Sequence, residues 1–311
     1  MTTDHPDIVC HIGLHKTASG TLQRQFFPAC KGLNLLTTLE PRVRQFVYLV
    51  TRTDPLYFSA DVAGSLIGQL LRNDRVNLLS NESLSGPPYA GAVELGLDHR
   101  SPVLTNLVSV FPRARAVLVL RRQDTLARSL YRQYIKRGGT MRVERFFGLD
   151  DSGRPGMLSL DRFRFRPFVQ MVLDAFPTGV LVLTYEEFVR DNVACLTRLC
   201  AFLGVERPDI ALRAENATRL GPLGIDVTRR MNFLFKGMLN HSLVPRIPVR
   251  RHARWVRSSP VELIHDHWPG RPSARAGRLG LATAEILGRF REDNELLDRQ
   301  LGLGLKEFGY Y

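Results

Sequence analysis

The chain has 311 residues, of which 44% are hydrophobic and 23% charged. This composition is typical of a globular protein and excludes a fibrous or largely disordered chain. The formal net charge is +13 at pH 7, which favours an anionic ligand, an acidic polymer or a membrane surface over a cationic partner. Arginine far outnumbers lysine, which suits bidentate binding of anions and is equally expected from the coding bias of a GC-rich genome. No window of about 18 apolar residues and no signal-peptide pattern is found, so we expect no membrane span and a cytoplasmic location.

Four short apolar runs predict parallel strands that are covered on both faces. They are IVCHIG (8–13), VNLLS (76–80), RAVLVL (115–120) and GVLVLT (179–184). Helical spacing of apolar residues is found in three segments, 125–138, 186–205 and 285–302. This alternation predicts an α/β fold of three layers, with a mainly parallel central sheet flanked by helices.

Segment 206–275 differs in composition from the rest of the chain. It is rich in Pro, Arg and His and has weak periodicity, as in RIPVRRHARWVRSSP. We expect one domain over residues 1–311, with 206–275 forming a lid or substrate-binding insertion. The Arg and Trp of RRHARW also occur together in nucleic-acid grooves, but a basic lid or a solvated basic face is the better interpretation, and no nucleic acid is expected.

The sequence does not predict a disulfide framework or a metal site. The four cysteines lie in apolar contexts without CxxC spacing, which is typical of buried thiols in a reducing compartment. His265, Asp266 and His267 lie close together, but without the spacing of helical metal ligands or an evident fourth ligand.

Each predicted strand is followed by polar residues. The carboxyl ends of parallel strands meet at one edge of the sheet, where ligands bind in such folds. We therefore expect four polar groups to converge there on an anion. They are His15-Lys16-Thr17, Asn81-Glu82-Ser83, Arg121-Arg122 and Tyr185-Glu186.

The first of these groups lies in HIGLHKTASGTLQ (11–23). A strand, a tight polar turn and a helix start form a backbone that can hold a phosphate. A kinase-type loop needs Gly-Lys-Ser/Thr, whereas Lys16 here precedes Gly20. A metal-dependent nucleoside triphosphatase is therefore disfavoured.

The order Lys16-Thr17-Ala18-Ser19-Gly20-Thr21, followed by Leu22 and Gln23, resembles the 5′-phosphosulfate loop of sulfotransferases, and of their bacterial members in particular. These enzymes use 3′-phosphoadenosine 5′-phosphosulfate (PAPS). Arg121, Asp124 and Ser129 match the family spacing after the third predicted strand. In the family, that arginine and serine bind the 3′-phosphate of PAPS.

Weaker similarities extend the resemblance over most of residues 8–303. They are SNESL (80–84), LTYEEFVRD (183–191) with Tyr185 as a candidate nucleotide contact, and FREDNELLDRQLG near the C-terminus. Two positions depart from the family pattern: Ala18 stands where Gly is common, and Gly20 where Ser or Thr is usual. We expect Ala18 to keep a negative φ unless the loop is strained.

The resemblance implies a metal-independent, in-line transfer of a sulfuryl group from PAPS to a hydroxyl of a carbohydrate, glycolipid or small metabolite. Acceptor specificity would lie in loops such as 38–75, 84–102 and 206–275, and the arginines there favour an acidic acceptor. The implied cofactor-binding residues are Lys16, Thr17, Ala18, Ser19, Gly20, Thr21, Arg121, Ser129 and Tyr185. The alternative is a non-catalytic nucleotide- or polyanion-binding protein on the same scaffold.

Lys16 would neutralise the charge that develops on the leaving oxygen. Glu82 is our first candidate for the base that accepts the acceptor's proton, with a pKa raised by a dry site. His15 and His99 are the alternatives. Neither the acceptor's identity nor an oligomeric state is indicated by the sequence.

Overall fold

The computed structural model describes residues 7–86, 100–213, 222–233 and 283–311. They fall into two compact units, the first within 1–122, 161–215 and 290–311 and the second within 123–160 and 216–289. The single domain and its lid or insertion at 206–275 stay predictions, and most of that insertion lies outside the described residues.

The first unit contains a five-stranded parallel sheet with strand order β2-β3-β1-β4-β5. All six residues of β1 are buried, as expected for a central strand that is covered on both faces. The predicted α/β fold with a parallel sheet is therefore confirmed. The strands are β1 Ile8–Gly13, β2 Leu33–Leu36, β3 Val76–Asn81, β4 Arg115–Leu120 and β5 Val180–Thr184.

Strand β2 is the one that the sequence pattern does not predict. Its four residues, LNLL, are fewer than in a typical strand, and Asn34 interrupts the apolar run. Asn34 is held by its neighbour on β3, because its Nδ2 donates to Oδ1 of Asn77 at 2.8 Å. Pairing with β3 therefore stabilises a segment whose local sequence has little strand character.

Helices follow or connect the strands. The helix that follows β1 begins as α1, continues as a π-helical segment, Leu22–Phe26, and ends in a 3₁₀ turn, Phe27–Ala29. Further 3₁₀ turns lie at Glu82–Ser85 and Leu160–Phe163. The α-helices are α1 Ser19–Thr21, α2 Pro41–Arg52, α3 Ala60–Gly68, α4 Arg100–Val110, α5 Gln123–Lys136, α6 Val143–Phe147, α7 Phe165–Ala175, α8 Tyr185–Arg190, α9 Asn192–Leu203, α10 Pro222–Met231 and α11 Thr283–Leu301.

The prediction of one helix over 186–205 is wrong, because the helix is interrupted at Asp191. The backbone of Asp191 leaves the helical region at φ −146° and ψ 85°, and its side chain accepts a hydrogen bond from the amide of Ala194 at 3.0 Å. Aspartate is a strong N-cap residue, so it ends α8 and starts α9. Gly204, with φ 75°, ends α9 as predicted.

One apolar cluster joins the sheet to α9 and to the helical segment after β1. It includes Val9, Leu78, Val117, Phe27 and Leu199, each at most 1% exposed. All four cysteines are free and buried, which confirms the predicted buried thiols. This cluster therefore holds both β1 and the helical segment that follows the loop, and the candidate site begins between them.

In the second unit, α5 packs against α6 and α10 around an aromatic cluster of Tyr131, Tyr134 and Phe146. Buried Asn232 donates to the carbonyl oxygens of Ile135 and Gly139 at 2.9 and 2.7 Å. The end of α5 is therefore fixed by the side chain of the residue that follows α10. Within the described ranges, no helix is both long and apolar enough to cross a bilayer.

Candidate active site

The loop after β1 has an unusual backbone conformation. Lys16 and Ala18 have φ values of 70° and 64°, and they are the two non-glycine residues with positive φ among those described. A left-handed conformation costs a residue with a side chain roughly 1–2 kcal/mol. The sequence allows two possibilities for Ala18, a negative φ or a strained loop, and the structure has the strained loop. A glycine would adopt this conformation without that cost.

Hydrogen bonds and close packing stabilise this conformation. Oγ1 of Thr17, a fully buried residue, donates to the carbonyl oxygen of Leu14 at 2.6 Å. Buried Ser19 lies so close to Gly13 that a Cβ at Gly13 would be 2.5 Å from the Ser19 hydroxyl. The Thr17 hydroxyl proton is therefore committed to the loop.

Arg121, just after β4, connects this loop to the end of β5. Its NH1 group donates to the carbonyl oxygen of Lys16 at 2.7 Å. Its guanidinium carbon lies 4.3 Å from the centre of the Tyr185 ring, within the range of a cation–π interaction. Three residues predicted for the site are thus brought together by direct contacts.

On the other side of the loop, His15 bridges two groups that follow β3. Its Nδ1 lies 3.1 Å from Oε2 of Glu82, and its Nε2 lies 3.3 Å from the carbonyl oxygen of Gly86. Both partners are acceptors, and a neutral imidazole can donate from only one nitrogen. The doubly protonated ring is the form that satisfies both contacts.

The expected rise in the Glu82 pKa is wrong in direction. Burial alone would raise the pKa of Glu82, but the hydrogen bond from His15 and the charges of His15 and Lys16 outweigh burial and lower the pKa below the usual 4.5. The Glu82 side chain is 37% exposed. Glu82 is therefore a carboxylate at neutral pH and can accept a proton without first losing one.

A second polar chain lies beneath the loop. Nε2 of Gln23 donates to Oγ of Ser80 at 3.0 Å, and that Oγ lies 2.7 Å from Nδ1 of His11. Burial lowers the pKa of His11 to about 4, although the charge of Glu82 acts in the opposite direction. His11 is therefore neutral, and Gln23 connects the helical segment after the loop to β3.

Glu186 was expected only as a member of the convergent polar groups, with no role of its own, and Tyr310 was not expected at all. Glu186, at the start of α8, accepts hydrogen bonds from the amide of Arg122 at 3.1 Å and from the hydroxyl of Tyr310 at 2.7 Å. Glu186 had a detectable signal, because it directly follows Tyr185 at the end of a strand. Tyr310 had none, because 124 residues separate it from Glu186.

The remaining predicted residues lie as follows. Ser19, Gly20 and Thr21 form α1. Ser129 lies in α5, in the second unit, whereas Arg121 lies in the first. His99 lies outside the described residues. In the part of the chain that the structure describes, no group of three or more His, Cys, Asp or Glu residues is arranged to hold a metal ion.

Residues 71–209 match the model of the Sulfotransferase family. This range includes Glu82, Arg121 and Tyr185 and begins after the loop that contains Lys16. No curated protein matches the sequence. Among solved structures, the chain is similar to a sulfotransferase from Alicyclobacillus acidocaldarius, with 18% identity, a TM-score of 0.48, and coverage of 68% of this chain and 87% of that one. The family match alone confirms the resemblance to sulfotransferases, and it does so for residues 71–209.

Proposed function

We propose that this chain is a PAPS-dependent sulfotransferase that transfers a sulfuryl group to a hydroxyl of a carbohydrate, glycolipid or small metabolite. The observation that carries the proposal is the 2.7 Å hydrogen bond from Arg121 to the carbonyl oxygen of Lys16. It joins the lysine loop to the strand-end arginine, and these are the two cationic elements that a nucleotide with 5′- and 3′-phosphates requires.

The chemistry of the donors fits such a ligand. Lys16, the loop amides and the hydroxyls of Ser19 and Thr21 are cationic or hydrogen-bond-donating groups, which suit a 5′-phosphate. Arg121 has a planar guanidinium that can bind a phosphate with two parallel hydrogen bonds. Ser129 is proposed as its partner at the 3′-phosphate, from its spacing in the sequence.

PAPS, when bound, supplies a sulfuryl group whose transfer breaks the sulfur–oxygen bond to the 5′-phosphate and forms one to the acceptor oxygen. The Lys16 ammonium would stabilise the negative charge that develops on the leaving phosphate oxygen. Held by His15, the Glu82 carboxylate would accept the proton of the acceptor hydroxyl. Because the pKa of Glu82 is lowered, it is a weak base whose strength depends on His15.

A binding experiment tests the proposal without knowledge of the acceptor. Thermal stabilisation by 3′-phosphoadenosine 5′-phosphate (PAP), the product, is compared with stabilisation by adenosine 5′-monophosphate. A ligand at about 100 times its Kd adds roughly 2.7 kcal/mol to the free energy of unfolding. We expect PAP to stabilise more strongly, and we expect Arg121→Ala to abolish the difference while Arg44→Ala, at an exposed position of α2, keeps it.

Equal stabilisation by the two nucleotides contradicts the PAPS site, and so does the absence of stabilisation by either nucleotide. If PAP binds but no PAP forms from PAPS with any acceptor, the alternative of a non-catalytic nucleotide-binding protein takes precedence. An acidic acceptor and a cytoplasmic location remain part of the proposal and rest on the sequence alone.

A further inference from the structure

The segment after α11, residues 305–311, packs against the ends of β4 and β5. Its Tyr310 is fully buried. The Tyr310 hydroxyl donates to Oε2 of Glu186 at 2.7 Å, and its carbonyl oxygen accepts a hydrogen bond from Nδ2 of buried Asn294 at 3.0 Å. The backbone of Tyr310 is thus held from α11, while its side-chain hydroxyl reaches the start of α8.

Glu186 connects this segment to the backbone beside Arg121. Its Oε1 accepts from the amide of Arg122 at 3.1 Å. The Arg122 side chain makes a second contact with the same segment, because its NH1 group donates to the carbonyl oxygen of Phe308 at 3.3 Å. One carboxylate therefore joins residue 122 to residue 310, and the segment is fixed at two points.

The positions of these residues in the chain matter for the nucleotide site. Arg121 precedes Arg122, and Tyr185 precedes Glu186. Arg121 and Tyr185 form the cation–π pair, with 4.3 Å between the guanidinium carbon and the ring centre. The hydrogen bond between Glu186 and the Arg122 amide therefore extends the β4–β5 pairing, which ends at Leu120 and Thr184, past the two residues that carry this pair.

The outer side of the segment is also anchored. The guanidinium carbon of Arg190 lies 4.3 Å from the centre of the Phe308 ring, and its NH1 group lies 3.4 Å from Oε2 of Glu307. These exposed contacts add little stability individually. The buried hydroxyl of Tyr310 is the contact whose loss leaves a carboxylate oxygen without its donor.

We propose that Tyr310 is a positioning residue for the nucleotide: through Glu186, it orients the Arg121–Tyr185 pair for the 3′-phosphate. The inference rests on the proposed function, because Arg121 is assigned to the 3′-phosphate there. Tyr310 is not expected to touch the nucleotide, and its effect is therefore expected on the contribution of the 3′-phosphate to affinity.

The chain offers a matched control. The hydroxyl of Tyr311 also donates to a carboxylate, Oδ2 of Asp298 at 2.9 Å, but on α11. Tyr310→Phe and Tyr311→Phe therefore remove the same group from neighbouring residues. Calorimetric Kd values for PAP and for adenosine 5′-monophosphate are measured on wild type and both variants.

We expect Tyr310→Phe to weaken PAP binding about tenfold, the scale of one hydrogen bond to a charged group. The affinity for adenosine 5′-monophosphate should change less than about twofold, and Tyr311→Phe should leave both affinities unchanged. Unchanged PAP affinity in Tyr310→Phe overturns the inference, and so does an equal loss for the two nucleotides, which indicates a merely structural role.

If the Tyr310→Phe variant does not fold, Glu186→Gln tests the same inference. Glu186 is only half-buried, and a glutamine has one oxygen for the two donors that Glu186 serves. The same selective loss of PAP affinity is expected, and its absence overturns the inference. If wild type itself binds the two nucleotides equally, it is the proposed function that fails, so the two failures are distinguishable.

Discussion

The two sides of the loop after β1 differ in kind. On the β3 side, His15 and Glu82 have side chains that are 15% and 37% exposed and are held mainly by each other. On the β4–β5 side, Arg121 and Glu186 are fixed by aromatic rings and by the buried hydroxyl of Tyr310. A side chain that accepts a proton must be accessible to the group that loses the proton, whereas a side chain that binds an anion gains from being held rigidly. In the proposed sulfotransferase, proton transfer and nucleotide binding would therefore be carried by separate parts of the site that can be mutated independently.

The largest expected effect comes from the residue between the two sides. Lys16→Ala should lower the rate of PAP formation from PAPS by about 10²-fold or more, because one pre-organised charge is lost at the leaving oxygen. The rate is measured by quantifying PAP, with Lys31→Ala, an exposed lysine, as the control. A rate within about twofold of wild type rules out the assigned role of Lys16.

Glu82→Gln tests the β3 side alone. Removal of a general base lowers the rate by about 10²-fold, while PAP affinity should not weaken, because the amide removes a negative charge near the phosphate loop. Rate and affinity are measured on the same preparation. A loss of PAP affinity as large as the loss of rate would mean that the two sides are not separable.

Arg121→Ala tests the β4–β5 side. PAP affinity should fall by about tenfold or more, since a charged hydrogen-bond donor to phosphate is removed. The rate at saturating PAPS should fall less than in Glu82→Gln. Calorimetry with PAP measures the first quantity, and Arg44→Ala serves as the control. The reverse pattern, an unchanged affinity for PAP and a large loss of rate, would mean that Arg121 acts in the catalytic step and not in nucleotide binding.

Ala18→Gly addresses the loop that separates the two sides. Glycine adopts the left-handed conformation without a steric cost, so the free energy of unfolding should rise by up to about 1 kcal/mol, offset in part by the greater freedom of the unfolded chain. Chemical denaturation measures it. Ala63→Gly, a buried position in helix α3, should instead destabilise, and a destabilised Ala18→Gly would show that φ at residue 18 is not strained.

The smallest expected effect is on the pH dependence of stability. The folded-state pKa of Glu82 is below its usual value of 4.5, so its contribution to stability is present above that value and is lost as the pH falls through the folded-state pKa. Wild type should therefore lose more stability than Glu82→Gln between neutral pH and pH 3. Parallel curves for the two proteins, recorded by thermal unfolding, would contradict the lowered pKa.

Much of the fold could be predicted because the strands carry their signal locally. β1, β3, β4 and β5 are Val-, Ile- and Leu-rich runs, and the carboxyl ends of parallel strands necessarily bring Lys16, Glu82 and Arg121 to one edge of the sheet. α11 also follows its predicted periodicity closely. These features depend on residues near one another in the chain.

The features that the sequence analysis missed or predicted wrongly depend on residues far apart in the chain or on the backbone geometry of the folded loop. β2 is a strand because β3 pairs with it, and the positive φ of Ala18 depends on how the loop is held in place. The direction of the Glu82 pKa shift depends on a histidine 67 positions away. Tyr310 had no signal at all, because nothing in the sequence relates it to Glu186.

The burial of the four thiols has a practical consequence for spectroscopy. Cys10, Cys30, Cys195 and Cys200 are at most 5% exposed, and a buried thiol reacts slowly with alkylating reagents. A single cysteine introduced at exposed Lys306, a few residues before Tyr310, would therefore be the preferred target of a maleimide fluorophore in the folded protein. Changes in the emission of such a label would report on the segment beside the proposed nucleotide site, without any prior removal of native cysteines.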